Sequence, residues 1–492
     1  MKLLLILLYL LVKNLVLTGL FDVVGLEARD RVGGRVYTDN GDEIGAAWIH
    51  GTDLEHEDGT IESNPIMDLA LSIVPEKDLH KTMEFFAVHS DGTELDSDGS
   101  IWDDMWTVLN KIKTSPECIE NAYKTTGLSI YDFINTNWEM LFEHLQGHNE
   151  KAVVKSVIEW QSYYATLWEN TSIGSMAVDK EFEGDQLLIL NGGYNRILNH
   201  YTETIGLKNH IRLNTPVTHI QKNEDGCHVF TKTGEVFDAD IVVVTVPLGV
   251  LKNKGITFEP PLPEEKQKSI DRLGFGVYDK IFVTFKEPIE AEAKPSRKGF
   301  WCSNADVISV VPKSDDDYNQ FLLSTKIQSL KPQDITEATA QERRPYDERD
   351  HDHIGIEMAN LSKISADPKI VMLIYGSAAM RMEAVADDPE ALREFALSKL
   401  RNAFPDREIP EIINVKATKW GSDIYSYGSF ANIPVGASGQ DMVNLSEPVD
   451  NKILFAGEAT FPLHYSTVHG AFKSGRREFE RIMELYNGLL EH

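Results

Sequence analysis

The sequence predicts an α/β chain in which a Rossmann-like dinucleotide-binding domain is interleaved with a mixed-sheet and helical domain. Three observations predict it. The run Phe21–Leu26 ends at the carboxylate of Glu27 and passes into a basic loop with paired glycines, Arg29–Arg35. The run Ile241–Val246 (IVVVTV) is almost wholly apolar, the pattern of a parallel strand covered on both faces. The 492 residues suit two or three domains, yet no clear linker parts them.

Taken in order, the chain opens on an apolar stretch, Leu3–Val12, that is interrupted at Lys13-Asn14. A membrane span needs about 20 apolar residues, more than this stretch provides. Thr18-Gly19 is a poor cleavage pattern for a signal peptide. The stretch is therefore expected to be an altered piece of the first domain. From Pro65 to Gly184, Trp, Leu and Phe recur at helical spacings. Gly192-Gly193 then marks a return to strands at His210–Ile220, Cys227–Lys232 and Asp240–Val246. Lys280–Phe285, Ile370–Tyr375 and Ile453–Ala456 are further strands, and Gly470–Tyr486 has helical periodicity. The expected division is a cofactor domain over 13–75, 190–265 and 410–492, and a substrate domain over 76–189 and 266–409. Residues 1–12 stand apart, and 329–353 form a polar surface insertion.

Composition narrows the function. With 48 Lys+Arg against 77 Asp+Glu, the net charge is −29. That excess argues against a nucleic-acid partner, whose phosphates are bound by lysine and arginine, and suits small cations. Cys118, Cys227 and Cys302 are too few and scattered for a disulfide scaffold. Asp350-His351-Asp352-His353 lies in a charged loop and points to solvent, so no metal is expected.

In a dinucleotide-binding fold, an acid ending the second strand accepts from ribose hydroxyls, which is the place of Glu27. Gly33 and Gly34 permit close backbone approach, and Arg29 and Arg35 can meet phosphate oxygens. The complete string LEARDRVGGRV at Leu26–Val36 is specific. With GAAWIHG at Gly45–Gly51, NP at Asn64-Pro65, LNGGYNRIL, NTPVTHI at Asn214–Ile220, ADIVVVTVPLGVLK, LGFGVYDKIFVTF and FAGEATFPLHYSTVHGAFKSGRRE at Phe455–Glu478, the chain resembles the flavin-containing amine oxidases, in their polyamine oxidase branch. The blocks occur in order over nearly the whole chain.

The resemblance implies FAD, held non-covalently, a small cationic polyamine and O2. A neutral amine would give hydride from its α-carbon to flavin N5; the imine hydrolyses, and O2 becomes H2O2. Lys280 would hold a water near N5, and His50 would meet the substrate amine. Val217 would offer its backbone to adenine, and Glu458 would accept from ribityl or pyrophosphate-side groups. Trp420, Thr467 and Val468 would lie along the flavin ring. Phe430, His464 and Tyr465 would line the substrate side, His464 standing where many relatives have tyrosine. The resemblance also exposes a departure: no GxGxxG precedes Glu27, so the first βα unit is expected to be missing, with Met1–Val12 in place of its strand and phosphate loop. An incomplete gene model is the preferred account. The acidic stretch Thr52–Ser63 is a second departure, either an attractive rim for polycations or an ordinary solvated loop. Rival readings are a lysine-specific histone demethylase, a monoamine or amino-acid oxidase, and a flavin-deficient amine-binding relative. No integral membrane span is expected. The location is expected to be cytoplasmic, and secreted only if residues 1–19 act as a signal peptide.

Overall fold

The structure, a computed structural model, describes residues 1–6, 9–56, 58–82, 85–89, 100–145, 171–184, 186–204, 206–287, 307–311, 357–361, 367–403 and 408–490. The 329–353 insertion, Cys302 and Asp350–His353 lie outside these residues.

The first surprise is at the N-terminus. Lys2–Ile6 is the central strand of a five-stranded parallel sheet, in the order Ile211–Arg212, Asp22–Leu26, Lys2–Ile6, Ile241–Val244, Ile453–Phe455. It pairs with Asp22–Leu26 on one side and Ile241–Val244 on the other. A helix, Tyr9–Thr18, follows it, with Val12 and Leu15 fully buried. The expectation that the first βα unit is missing is therefore corrected. Strand and helix are both present, and the apolar run is what a parallel strand covered on both faces requires. What the sequence lacks from Met1 to Thr18 is any glycine.

The expected strand His210–Ile220 divides. Ile211–Arg212 closes the parallel sheet, whereas Val217–Lys222 joins a separate four-stranded sheet with Cys227–Thr231, Val236–Ala239 and Thr257–Glu259. Between them Asn214 takes a φ of 54°, and Pro216 has no N–H to donate to a ladder. Asn214 and Thr215 donate to the Arg29 and Glu27 carbonyls at 2.8 Å each, so this crossing is fastened beside the acid loop.

A six-stranded mixed sheet runs Ile412–Ala417, Tyr278–Phe285, Lys369–Tyr375, Glu357–Asn360, Val307–Val311, Phe85–His89. The helical reading of 65–184 needs correction here. Leu79–Thr82 pairs with Gln186–Ile189, and Phe85–His89 with Val307–Val311, partners far along the chain that local periodicity does not reveal. Helices at Pro65–Ile73, Ser100–Lys113, Pro116–Asn121, Ile130–Thr136 and Trp138–Phe142 occupy most of the remaining described residues. The closing helix, Val468–Leu490, extends the expected one at both ends.

The strand Tyr278–Phe285 carries Lys280. Alternate side chains leave a strand on opposite faces, so Tyr278 and Lys280 face one way and Asp279 the other. No helix among the described residues is long and apolar enough to cross a membrane.

Candidate active site

One cavity of about 1090 Å³ is lined, on the parallel-sheet domain, by Glu27, Gly33, Gly34 and Arg35 and, on the helical segments, by Trp106, Asn110, Lys113, Asp179 and Glu181. Lys280, Trp420, Phe430, Thr467 and Val468 also line it.

On the parallel-sheet side, the strand Asp22–Leu26 delivers Glu27, whose Oε1 accepts from the Arg29 amide at 2.8 Å. Burial holds its carboxyl above the ordinary range, with Arg29 and Arg31 opposing. Gly33 has φ 99°, and a Cβ there would lie 2.3 Å from the Val36 carbonyl oxygen; the close turn demands glycine. Gly34 and Gly457 also have positive φ and open space where a Cβ would stand, so bare backbone faces the cavity at both. Arg35 donates to Glu458 Oε1 at 2.7 Å and to the Ser429 carbonyl at 2.8 Å. Glu458 Oε2 accepts from the Ser466 and Ala431 amides at 2.9 and 3.3 Å. Thr467 accepts from the Gly470 amide at 2.9 Å at the start of the closing helix.

In the middle, Lys280 Nζ donates to the Glu43 and Gly45 carbonyls at 2.8 and 2.6 Å. Burial pulls its pKa well below the lysine norm, against the attraction of Glu43 and Asp42. Glu43, also buried, is pushed up; its carboxylate is held by Thr38 Oγ1 and the Tyr194 amide at 2.7 Å each. Trp420 Nε1 donates to the Ile44 carbonyl at 3.1 Å, so one short segment anchors both the lysine and the indole.

On the other wall, His50 opens onto the cavity but is enclosed by protein. Burial lowers its pKa to about 4, with Gln186 hydrogen-bonded to it, so the imidazole is neutral at pH 7. Asn64 fixes the backbone beside it. The side chain donates to the His50 and Gly51 carbonyls at 2.8 and 3.1 Å, and accepts from the Ile66 amide at 3.0 Å, capping the helix Pro65–Ile73. Asn64→Ala removes a helix cap and the donor to two carbonyls. It should cost about 2 kcal/mol of stability in urea unfolding and weaken whatever binding depends on His50.

On the helical side, burial and the nearby Glu181 raise Asp179 to about 8. Tyr465 also faces the cavity; burial pushes its phenol up strongly, and Ser175 hydrogen-bonds to it.

Twelve of the expected residues line this cavity: Glu27, Gly33, Gly34, Arg35, His50, Lys280, Trp420, Phe430, Glu458, Tyr465, Thr467 and Val468. Three do not. Arg29 pairs with Asp423 at 2.8 Å, Val217 starts a strand of the separate sheet, and His464 is buried behind the wall. His464 stacks on Phe182 at 5.0 Å and meets Lys473 Nζ at 2.7 Å. Lys473 in turn pairs with Glu62. Asp53, Glu55, Asp58 and Glu62 of the acidic hairpin do not line the cavity. Asp179 and Glu181, which line it beside Glu27 and Glu458, carry no distinguishing signal in VDKEFEG. Glu43, Gln186, Phe182 and His469 are likewise absent from the sequence reading.

An acid-tipped strand in a parallel sheet, opening onto one cavity with a buried lysine and aromatic side chains, is the arrangement of a dinucleotide-binding fold. Residues 13–483 match the family described as flavin containing amine oxidoreductase, and the chain belongs to it. It is 30% identical over 484 residues to the lysine-specific histone demethylase 1 homolog 2 of Arabidopsis thaliana, covering 95% of this chain and 56% of that protein. It is 28% identical over 493 residues to polyamine oxidase 2 of Arabidopsis thaliana, covering 95% and 85%. Against polyamine oxidase 3 of Oryza sativa subsp. japonica the values are 28% over 501 residues, 95% and 86%. The chain thus spans about half the length of the demethylase homologues it matches.

The family implies a flavin. The residues at the Glu27 end and along the Trp420 wall fit one: an acid for ribose, bare backbone at Gly34 and Gly457, and the half-buried Arg35.

Proposed function

We propose that this chain oxidises a small polycationic amine, a polyamine, with non-covalently bound FAD and with O2 as final oxidant. The observation that carries the reading is the cavity itself. It joins a ribose-type acceptor, Glu27, to a far end with two carboxylates, Asp179 and Glu181, past the aromatic side chains of Trp420, Phe430 and Tyr465. The cofactor would be held by Glu27, Gly33, Gly34, Arg35, Trp420, Glu458, Thr467 and Val468, which line the cavity. When bound, the flavin supplies the acceptor for the hydride leaving the carbon next to nitrogen. Residues 13–75, 190–265 and 410–492, together with the central strand Lys2–Ile6, would form the cofactor domain, and 76–189 with 266–409 the substrate domain.

The protein's share is binding and proton placement. Burial and Glu181 raise the Asp179 pKa to about 8 and so favour its protonated form at neutral pH. A substrate ammonium would favour the anion, so docking should expel a proton. His50 is neutral and can accept from an ammonium next to the reacting carbon. Phe430 and Tyr465 exclude water around it. Lys280 presents a positive charge at the middle of the cavity.

A second reading, oxidative demethylation of lysine, draws on the likeness to the demethylase homologues. Visible absorption of the purified protein under anaerobic spermine, and separately under a methyl-lysine peptide, tests both. Bleaching by spermine supports the polyamine reading. Bleaching by the peptide alone overturns it, and a colourless protein overturns both.

A further inference from the structure

A pair of acids, Asp279 buried and Glu383 half-buried, lies behind the cavity wall. Asp279 is 0% exposed, and its Oδ1 accepts from Thr418 Oγ1 at 2.6 Å and the Trp420 amide at 3.0 Å. Glu383, on the helix Gly376–Val385, reaches the next two residues: Oε1 accepts from the Gly421 amide at 2.6 Å and Oε2 from the Ser422 amide at 2.9 Å. The two carboxyl groups are in hydrogen-bonding contact, and burial together with Glu383 holds Asp279 well above the carboxylate range. Two carboxyl groups bond to each other only when one carries a proton. Asp279 Oδ2 is buried and receives no donor, so a proton on this atom would satisfy it.

We propose that Asp279 and Glu383 share one proton and act together as a clamp that positions residues 418–422, and with them Trp420, against the cavity. The clamp also reaches Lys280, whose backbone amide donates to Thr418 Oγ1 at 2.8 Å. One hydroxyl and two carboxyl groups thus tie the lysine strand to the tryptophan loop. Both are positioning residues, since neither lines the cavity. The groups facing Asp279 are Glu383, the Thr418 hydroxyl and the Trp420 amide. The Lys280 side chain leaves on the opposite face, and Lys419 pairs with exposed Asp387.

The direction of the pH response follows. With its pKa raised on folding, Asp279 binds more proton in the native state than in the unfolded chain, so its contribution to stability falls as pH rises through the titration. Above that point Asp279 loses the proton that bridges it to Glu383, and the loop is released. The clamp needs no flavin; only its effect on a flavin rests on the proposed function.

Hydrogen exchange of the full chain, corrected for intrinsic rates and followed from pH 6 to 10 on peptides spanning 418–422, tests it. In the wild type, protection of the Gly421 and Ser422 amides should fall about tenfold across the range, as expected for losing a hydrogen bond to a charged group. Asp279→Asn replaces the shared proton with an amide donor and should keep protection at every pH. Glu383→Ala should lose it at every pH. The same profile in wild type and Asp279→Asn would overturn the clamp, as would undiminished protection in a folded Glu383→Ala. In flavin-loaded protein the wild-type transition should also shift the flavin absorption band, and Asp279→Asn should abolish that shift. A wild type that retains no flavin removes the proposed function, while the exchange profiles still decide the clamp.

Discussion

Replacing Lys280 with methionine should lower amine-dependent O2 consumption about 100-fold, the scale of losing one preorganised charged donor from a water-excluded site. Methionine is of similar length and keeps the strand apolar, so folding should survive; near-wild-type unfolding in urea is the control. Two properties make this lysine unusual. It gives hydrogen bonds to the Glu43 and Gly45 carbonyls from a site that is 5% exposed, and burial has pulled its pKa well below 10.5. The sign of the pH effect follows. The ammonium form is fully present at low pH and disappears as pH rises through the lowered value. The rate advantage of wild type over Lys280→Met should therefore shrink at a pH well below 10.5. A parallel pH profile for the two proteins would show that the charge at Lys280 does not act in turnover.

Residues carried by contiguous motifs were the legible part of this site. Glu27, Gly33, Gly34 and Arg35 share one strand-to-loop segment, so their common position follows from chain continuity. Lys280 and Phe430 reach the same cavity from different sheets, and only the resemblance joined them. Asp179 and Glu181 were illegible because alternating acids in VDKEFEG look like any solvated edge; what makes them significant is that they line one cavity with Trp106, Asn110 and Lys113 of a distant helix. His464 shows the converse. Its place in the motif suggested the substrate side, but Lys473, nine residues later, and Phe182, from another segment, hold it behind the wall. The N-terminal strand was misjudged for a related reason. An apolar run without glycine has no local mark of a Rossmann strand, and its identity comes from parallel partners at Asp22–Leu26 and Ile241–Val244.

Glu458→Ala should be the most damaging single change for stability, at about 3 kcal/mol, because it strips the partner from a largely buried cation. The Glu458 side chain is 5% exposed and that of Arg35 22%. One carboxylate receives Arg35, the Ser466 amide and the Ala431 amide. These belong to the acid loop, the approach to the closing helix and the short strand Phe430–Asn432, so three separate segments lose a common acceptor at once. Glu458→Gln separates charge from geometry. Its one carbonyl oxygen can still accept, but its amide cannot receive from an N–H and leaves Arg35 without a counter-charge. The glutamine variant should therefore fall between wild type and alanine in urea unfolding. Both should lose more flavin than wild type during gel filtration, because Arg35 would no longer be held at the cavity wall. Equal stability of alanine and wild type would mean that Arg35 finds water or the Ser429 carbonyl a sufficient partner, and that the carboxylate is not what joins these segments.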